Sequence, residues 1–352
     1  MRSMPLILSA LLLACSNGSD MTSDSGPDVV ATDSSPGMDS SPMNDATADA
    51  GAPTLSSVIS FNAGAYELAE GLTFHDGKAY VGFAPTGTIV SIDNNGTRTD
   101  YAHVPAGGND AYTLGLLFGS SGELYVLETK NDQNSMIVPG IYKIPANGGS
   151  SMTPFATDAN FGFPNGLAFD GKGNLLVADS ATGRILSVTP QGTVTTWKAD
   201  PELAGSTACN APLPFPIGAN GIVFTPSAVF VSNTANGAIV KIAVDGSGNA
   251  GAVSTIVKDC KWVGFDGIAL DKDGTLLAAI NGAPGKFARV DMNGNVTVLA
   301  SSEPLDGPAS IAFADSWKDG KRYALITSSA FFSVSLDGGS PKPGLLQYGP
   351  LP

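Results

Sequence analysis

The pattern X-Gly-(Leu/Ile)-X-(Phe/Leu) recurs six times along this chain, and that recurrence constrains the fold more than any single residue. It reads EGLTF from Glu70, LGLLF from Leu114, NGLAF from Asn165, NGIVF from Asn220, DGIAL from Asp266 and, in degenerate form, ASIAF from Ala309. Successive copies lie 44, 51, 55, 46 and 43 residues apart. Self-similarity at such periods marks a repeat architecture.

Each copy continues in the same way. A turn with Gly or Asp follows (HDGK, GSSGE, DGKGN, TPS, DKDG, SWKDG), then a second apolar run: KAYVGF, ELYVLE, NLLVAD, AVFVSN, TLLAAI, RYALIT. Third runs (TIVSID, GIYKIP, RILSVT, AIVKIA, FARVDM, FFSVSL) and fourth runs (TRTDYAHV, SMTPFAT, TVTTWKA, VSTIVKD, NVTVLA, GLLQY) complete the units. Four short strands per repeat of this length specify a β-propeller blade. The expected fold is therefore all-β, a six-bladed β-propeller over residues 54–352, with LSSVISF at 55–61 adding an outer strand that closes the ring. Composition agrees: only 14% of residues are charged, with 43 Gly and 24 Pro, a balance of strands and tight turns rather than helices.

The first strand of a propeller blade lines the central channel. The residue before the repeated Gly thus occurs six times around one ring: Glu70, Leu114, Asn165, Asn220, Asp266 and Ala309. Four of the six are oxygen donors, and hard cations such as Ca²⁺ take carboxylate, amide and water oxygens. Asn-Gly and Asp-Gly are also ordinary turn dipeptides, as at Asn95-Gly96, Asp170-Gly171 and Asp273-Gly274. Shared register before a buried strand favours a divalent-cation site at Glu70, Asn165, Asn220 and Asp266. No His–Cys pattern suited to zinc is present.

The residues PNGLAFDGKGNLLVADSATGRI, ANGIVF, FDGIALDKDG and GPASIAF resemble the senescence marker protein/gluconolactonase/luciferin-regenerating enzyme (regucalcin-like) family, over nearly all of residues 60–340. That resemblance implies a six-bladed propeller holding a divalent cation, usually Ca²⁺, on the positions that match Glu70, Asn165, Asn220 and Asp266. It further implies a lactonase or esterase in which the cation polarises a carbonyl and activates water, with Asp266 also taking the water's proton. His103, in TDYAHVPAGGND, heads for the same face and is a second candidate base, or else a solvated loop histidine; His75 falls on the opposite turn. Where the sugar-lactonase branch carries Arg before Asn-Asp-Gly, this chain reads Phe161-Gly-Phe-Pro-Asn-Gly, and where paraoxonases carry His it has Leu114.

Tyr112, Phe161, Phe163, Phe215, Trp262 and Phe265, with Pro164, Pro212, Pro214 and Pro216, fall on loops of the channel face. Together they outline an apolar pocket suited to a small-molecule lactone or ester. No G-x-S-x-G elbow is present, which argues against a covalent acyl-enzyme. The competing expectation is a non-catalytic propeller that binds a ligand or protein.

The amino terminus, MRSMPLILSALLLAC, has an apolar run too short to span a bilayer and resembles a signal peptide ending in a bacterial lipobox at Cys15. The expectation is a monomeric, exported lipoprotein that touches the membrane only through that anchor; plain secretion and a cytosolic protein with a chance apolar start are the alternatives. Residues 16–53 carry seven Asp and no Lys or Arg, and read as a disordered tether. The formal charge of −14 excludes a nucleic-acid partner. Cys209 and Cys260 remain as a candidate disulfide, or two free buried thiols.

Overall fold

The structure is a computed structural model that describes residues 52–352 except 104–110, 131–136, 150–151, 159, 214, 283–284 and 336–339. Cys15, the segment 16–51 and Pro214 lie outside the described residues.

Among the described residues, twenty-four strands (β1–β24 in chain order) form six antiparallel four-stranded sheets, the blades of a propeller. The innermost strands are β2 (Ala69–His75), β6 (Ala111–Phe118), β10 (Pro164–Phe169), β14 (Ala219–Thr225), β18 (Phe265–Leu270) and β22 (Pro308–Lys318). They contact one another in sequence around the ring, with β22 returning to β2. The second strands, such as β7 (Leu124–Lys130), β11 (Leu175–Asp179) and β19 (Leu276–Ile280), are almost wholly buried. Both of their faces are covered by neighbouring blades, which is why they read as unbroken apolar runs. Outermost strands alternate exposed and half-buried positions, as in β17 (Ala250–Lys258).

The first strand of the chain closes the ring. β1 (Thr54–Ser60) pairs antiparallel with β24 (Gly344–Leu351), so blade six is β22, β23 (Lys321–Ser328), β24 and β1. One expectation is corrected here. FFSVSL is not the third strand of blade six: Phe331–Ser335 form a short helix, α1, and GLLQY belongs to β24, the third strand, leaving β1 as the fourth. Ala330 adopts φ 57°, a left-handed turn that diverts the chain from the sheet despite the strand-like composition that follows.

The repeated Gly has a steric cause. A Cβ on Gly71 would lie 2.0 Å from the carbonyl oxygen of Leu114; on Gly115, 2.6 Å from that of Asn165; on Gly166, 2.3 Å from that of Asn220. The same holds for Gly221 against Asp266 (2.4 Å) and Gly267 against Ala309 (2.5 Å). Each blade's Gly therefore receives the backbone of the next blade's ring residue, where six strands crowd one axis. At the sixth junction Ser310 replaces Gly, and the Glu70 carbonyl accepts a hydrogen bond from the Thr327 hydroxyl at 3.0 Å.

Cys209 and Cys260 form a disulfide with Cα atoms 5.2 Å apart. It joins the loops on either side of blade four and encloses a 51-residue separation. Cross-linking a loop of that length restricts the unfolded chain and contributes about 4 kcal/mol. Reduction, or Cys209→Ser with Cys260→Ser, is expected to lower chemical-denaturation stability by that order; an unchanged midpoint would show that the bridge does not constrain the fold.

Candidate metal centre at the channel mouth

All six innermost strands carry a register shift at the ring position: between Ala69 and Leu72, Thr113 and Leu116, Pro164 and Gly166, Ala219 and Ile222, Phe265 and Ile268, and Pro308 and Ile311. Such bulges re-aim side chains. Here they bring Glu70, Asn165, Asn220 and Asp266 together on one cavity of about 100 Å³ on the propeller axis. Leu114 completes that rim on one side and Ser310 lines it on another, while Leu72, Leu116, Leu167, Ile222, Ile268 and Ile311 form an aliphatic plug. The four oxygen donors are buried, at 4–8% exposure.

A second ring, not singled out from sequence, orients the donors. The Asn165 Nδ2 donates to Ser180 Oγ at 3.3 Å, and Ser180 donates to the Ala219 carbonyl of the next blade at 2.7 Å. The Asn220 Nδ2 donates to Thr234 Oγ1 at 3.0 Å, and Thr234 donates to the Phe265 carbonyl at 2.8 Å. Asn281 donates its Nδ2 to Asp266 Oδ2 at 3.1 Å. Ser180, Thr234 and Asn281 each directly follow an aligned second strand, so their shared offset was a readable signal. Each hydroxyl accepts from an amide Nδ2, which leaves the amide's Oδ1 free to act as an acceptor in the cavity.

The rim concentrates two buried carboxyl groups on one small cavity. Burial, reinforced by the Asp266 charge, holds the Glu70 carboxyl well above its ordinary range. Burial pushes Asp266 up to about 7, against the opposing hydrogen bonds of Asn281, Asn220 and the Gly267 amide. Among the described residues, Glu70 Oε2 is buried without a hydrogen-bond partner, and no Lys, Arg or His lines the cavity. Two carboxylates, one of them with an orphaned oxygen, and two amide oxygens fit a hard divalent cation. Among the described residues no group of three or more His, Cys, Asp or Glu side chains gathers elsewhere or here, so amides supply half of this donor set.

The other candidates divide. Tyr112 is buried beside the rim, and Phe163 packs edge-on to Phe215 at 5.2 Å. Trp262 is half-buried, with its ring 6.4 Å from Phe265 and Lys261 over it at 5.3 Å. Phe265 and Phe161 are corrected: both are core residues, Phe265 fully buried between blades four and five and Phe161 between blades two and three. Phe265 immediately precedes Asp266 on the strand, so its side chain takes the opposite face, into the blade. His103 lies on the outermost strand of blade one, β5 (Arg98–His103), exposed and hydrogen-bonded to Thr88 Oγ1 at 3.1 Å. Three strands separate it from the channel, so it is not brought to the site. His75 stacks on Phe118 at 4.2 Å on the far side.

Another buried carboxylate, with a raised titration, lies outside the cavity. Glu128, on β7, accepts from Thr113 Oγ1 at 2.9 Å, and burial pushes it up to about 8 from an ordinary 4.5. Because the folded value is the higher one, its contribution to stability is fully present below about pH 4.5 and is lost as pH rises through 8. Melting curves between pH 5 and 9 are expected to fall less steeply for Glu128→Gln than for the parent protein. Parallel curves would show that Glu128 is already ionised.

No family model and no curated protein matches the sequence. Solved structures share its fold. A luciferin-regenerating enzyme superposes with a TM-score of 0.61 at 14% identity, covering 85% of this chain and 96% of its own. A calcium-binding regucalcin from Agrobacterium tumefaciens gives 0.57 at 19% identity, covering 80% and 90%. A gluconolactonase from Xanthomonas campestris gives 0.56 at 15% identity, covering 86% and 96%. A virginiamycin B lyase from Staphylococcus aureus also superposes, at 0.52 and 19% identity, over 85% and 89%. The shared architecture therefore spans different chemistries, and function has to be argued from the site.

Proposed function

We propose that this propeller is a divalent-cation-dependent hydrolase of an apolar lactone or ester, working at the channel mouth, with Ca²⁺ the cation that its oxygen-only donor set favours. The observation that carries the reading is the convergence of Glu70, Asn165, Asn220 and Asp266 on one cavity, with an orphaned carboxylate oxygen and no basic side chain to neutralise them. Fold neighbours described as a calcium-binding regucalcin and a gluconolactonase support it.

The four rim residues would hold the cation, which when bound supplies Lewis acidity to a substrate carbonyl. Ser180 holds the Asn165 amide through its Nδ2, while the Asn220 Nδ2 is shared between the Thr234 hydroxyl and the Asp266 carboxylate. Asn281 steadies Asp266, the group placed to take the proton of an attacking water. The water oxygen bonds to the carbonyl carbon. The proton then passes from Asp266 to the leaving alkoxide oxygen as the carbon–oxygen bond breaks. His103 has no part in this scheme.

The test is the divalent-metal content of the purified protein, followed by assays on a panel of lactones and aryl esters. Turnover that EDTA abolishes and Ca²⁺ restores is the expected result. A protein that holds no divalent ion and is indifferent to Ca²⁺ overturns the reading. A second reading, a non-catalytic binding propeller, draws on the absence of any ionisable cavity-lining side chain beyond the two carboxylates; a retained cation without turnover on any member of the panel would favour it.

A further inference from the structure

The segment after β23 does not stay with its own blade. Phe331, at the start of α1, belongs to blade six, yet it packs against the apolar cluster of blades two and three. Its ring lies 6.4 Å from that of Tyr112 on β6. Phe331 thus links blade six to blade two, the blades on either side of blade one, whose innermost strand bears Glu70. Asp306, itself buried, fastens this crossing at both ends. Its carboxylate accepts from the Ser333 hydroxyl and, at 2.8 Å, from the Lys342 amide, while its carbonyl accepts from the Ala330 amide at 2.8 Å.

Beneath Phe331 stands a polar group with no assigned task. Tyr112 is 3% exposed, and among the described residues its buried hydroxyl has no hydrogen-bond partner. Leaving a buried hydroxyl unpaired is costly, and such exceptions are few. Tyr112 stands two residues closer to the mouth than Leu114, which lines the cavity, and shares its apolar cluster. Burial, and after it the neighbouring Glu70 carboxyl, push the phenol upward, so it stays protonated and a donor.

We propose that Tyr112 and Phe331 form the substrate-facing wall above Glu70: the Tyr112 hydroxyl donates a hydrogen bond to an oxygen of the bound lactone or ester, and the Phe331 ring covers its apolar chain. The identity of the ligand rests on the hydrolase reading; the wall itself rests on the geometry. Tyr112 is then a positioning residue for the reacting carbonyl, and Phe331 a specificity-determining one carried in from the opposite end of the chain. The Asp306 clasp sets where that ring sits.

The wall is tested by calorimetric binding of two non-hydrolysable δ-lactams, one bare and one bearing an alkyl chain, to the full-length protein with Ca²⁺ present. Tyr112→Phe is expected to weaken both lactams about tenfold, the effect of one buried hydrogen bond. Phe331→Ala is expected to weaken the alkylated lactam about tenfold and the bare one much less, since only the chain loses apolar contact. Ca²⁺ affinity, titrated alone, stays unchanged in both variants. Lactam affinities within twofold of the parent in either variant, or no lactam binding by the parent, overturn the proposal. Lactone hydrolysis, assayed separately, distinguishes the two failures. Turnover with unmoved lactam affinities removes the wall and keeps the hydrolase; the expected binding pattern without turnover removes the hydrolase and keeps the wall.

Discussion

Asp266→Ala is expected to lower lactone or ester hydrolysis by about a thousandfold or more, the scale on which loss of a group acting at the reacting centre is felt. It should also weaken divalent-cation binding by about a hundredfold, because one of only two anionic donors is gone. Glu70→Gln should reproduce the cation defect. The same substitutions have the opposite sign on the stability of the cation-free protein. There, two carboxylates are buried on one small cavity, with Asp266 raised to about 7 and Glu70 held well above its ordinary range by burial and by the Asp266 charge. Groups whose folded values are raised contribute stability at low pH that disappears as pH rises through those values. In EDTA at pH 8, Asp266→Asn is therefore expected to melt higher than the parent, and at pH 4 to melt alike. With Ca²⁺ present at pH 8 the order should reverse. A variant that loses turnover but keeps parental cation affinity and parental melting in EDTA would remove Asp266 from the centre.

Gly221→Ala is the second large effect, and it acts on the ring rather than on the chemistry. The added methyl would sit 2.4 Å from the Asp266 carbonyl oxygen and 2.9 Å from the Ile268 nitrogen, all of it backbone. No side chain can swing aside, so blades four and five would have to separate at the axis. Overpacking of this kind usually costs about 1–3 kcal/mol, and a clash confined to backbone should exceed it, at about 4 kcal/mol or more. Denaturation should show a large loss of stability, or the variant should fail to accumulate as folded protein. Gly274→Ala supplies a control of a different kind, since that glycine has open space around it but a φ of +82°. Its cost should be the smaller one, about 1 kcal/mol, from conformation alone. Equal losses at the two positions would show that the close blade contact is not what the repeated Gly provides.

These two experiments probe opposite sides of one design. The Gly lets six strands approach the axis, and that approach places the residue before it on the cavity. The asymmetry around the ring then matters: Leu114 and Ala309 contribute no oxygen, so the donors span blades one, three, four and five, and Tyr112 and Phe331 occupy the side near blade two.

Much of this was legible because a repeat compares a position with itself. Asn220 alone is a residue before Gly, no different from Asp170, whose carboxylate simply accepts the Lys172 and Asn174 amides within a turn at 2.8 Å. Register with Glu70, Asn165 and Asp266 separated the two cases, and the Gly spacing reported the crowding that the structure shows. The Ser180, Thr234 and Asn281 supports share an equally regular offset, each directly after a second strand, but Ser, Thr and Asn there are also ordinary strand-end residues. Phe265 and Phe161 differ from the pocket expectation for another reason: an aromatic residue near a ligand position is equally consistent with pocket and core until the strand face is known.

Sequence by itself determined the architecture, the ring of oxygen donors and the glycines that permit it, because those depend on short-range patterns repeated at a fixed period. Tertiary structure alone decided what non-local contacts control. The bulges that turn the donors inward are set by pairing with the second strands. The exclusion of His103 follows from three intervening strands. The diversion of Phe331 across to Tyr112 is fixed by Asp306, a residue 25 positions away in the chain and invisible to any repeat. Strand-like composition could not foresee it, since a left-handed turn at Ala330 and a clasp from another loop outweigh local propensity.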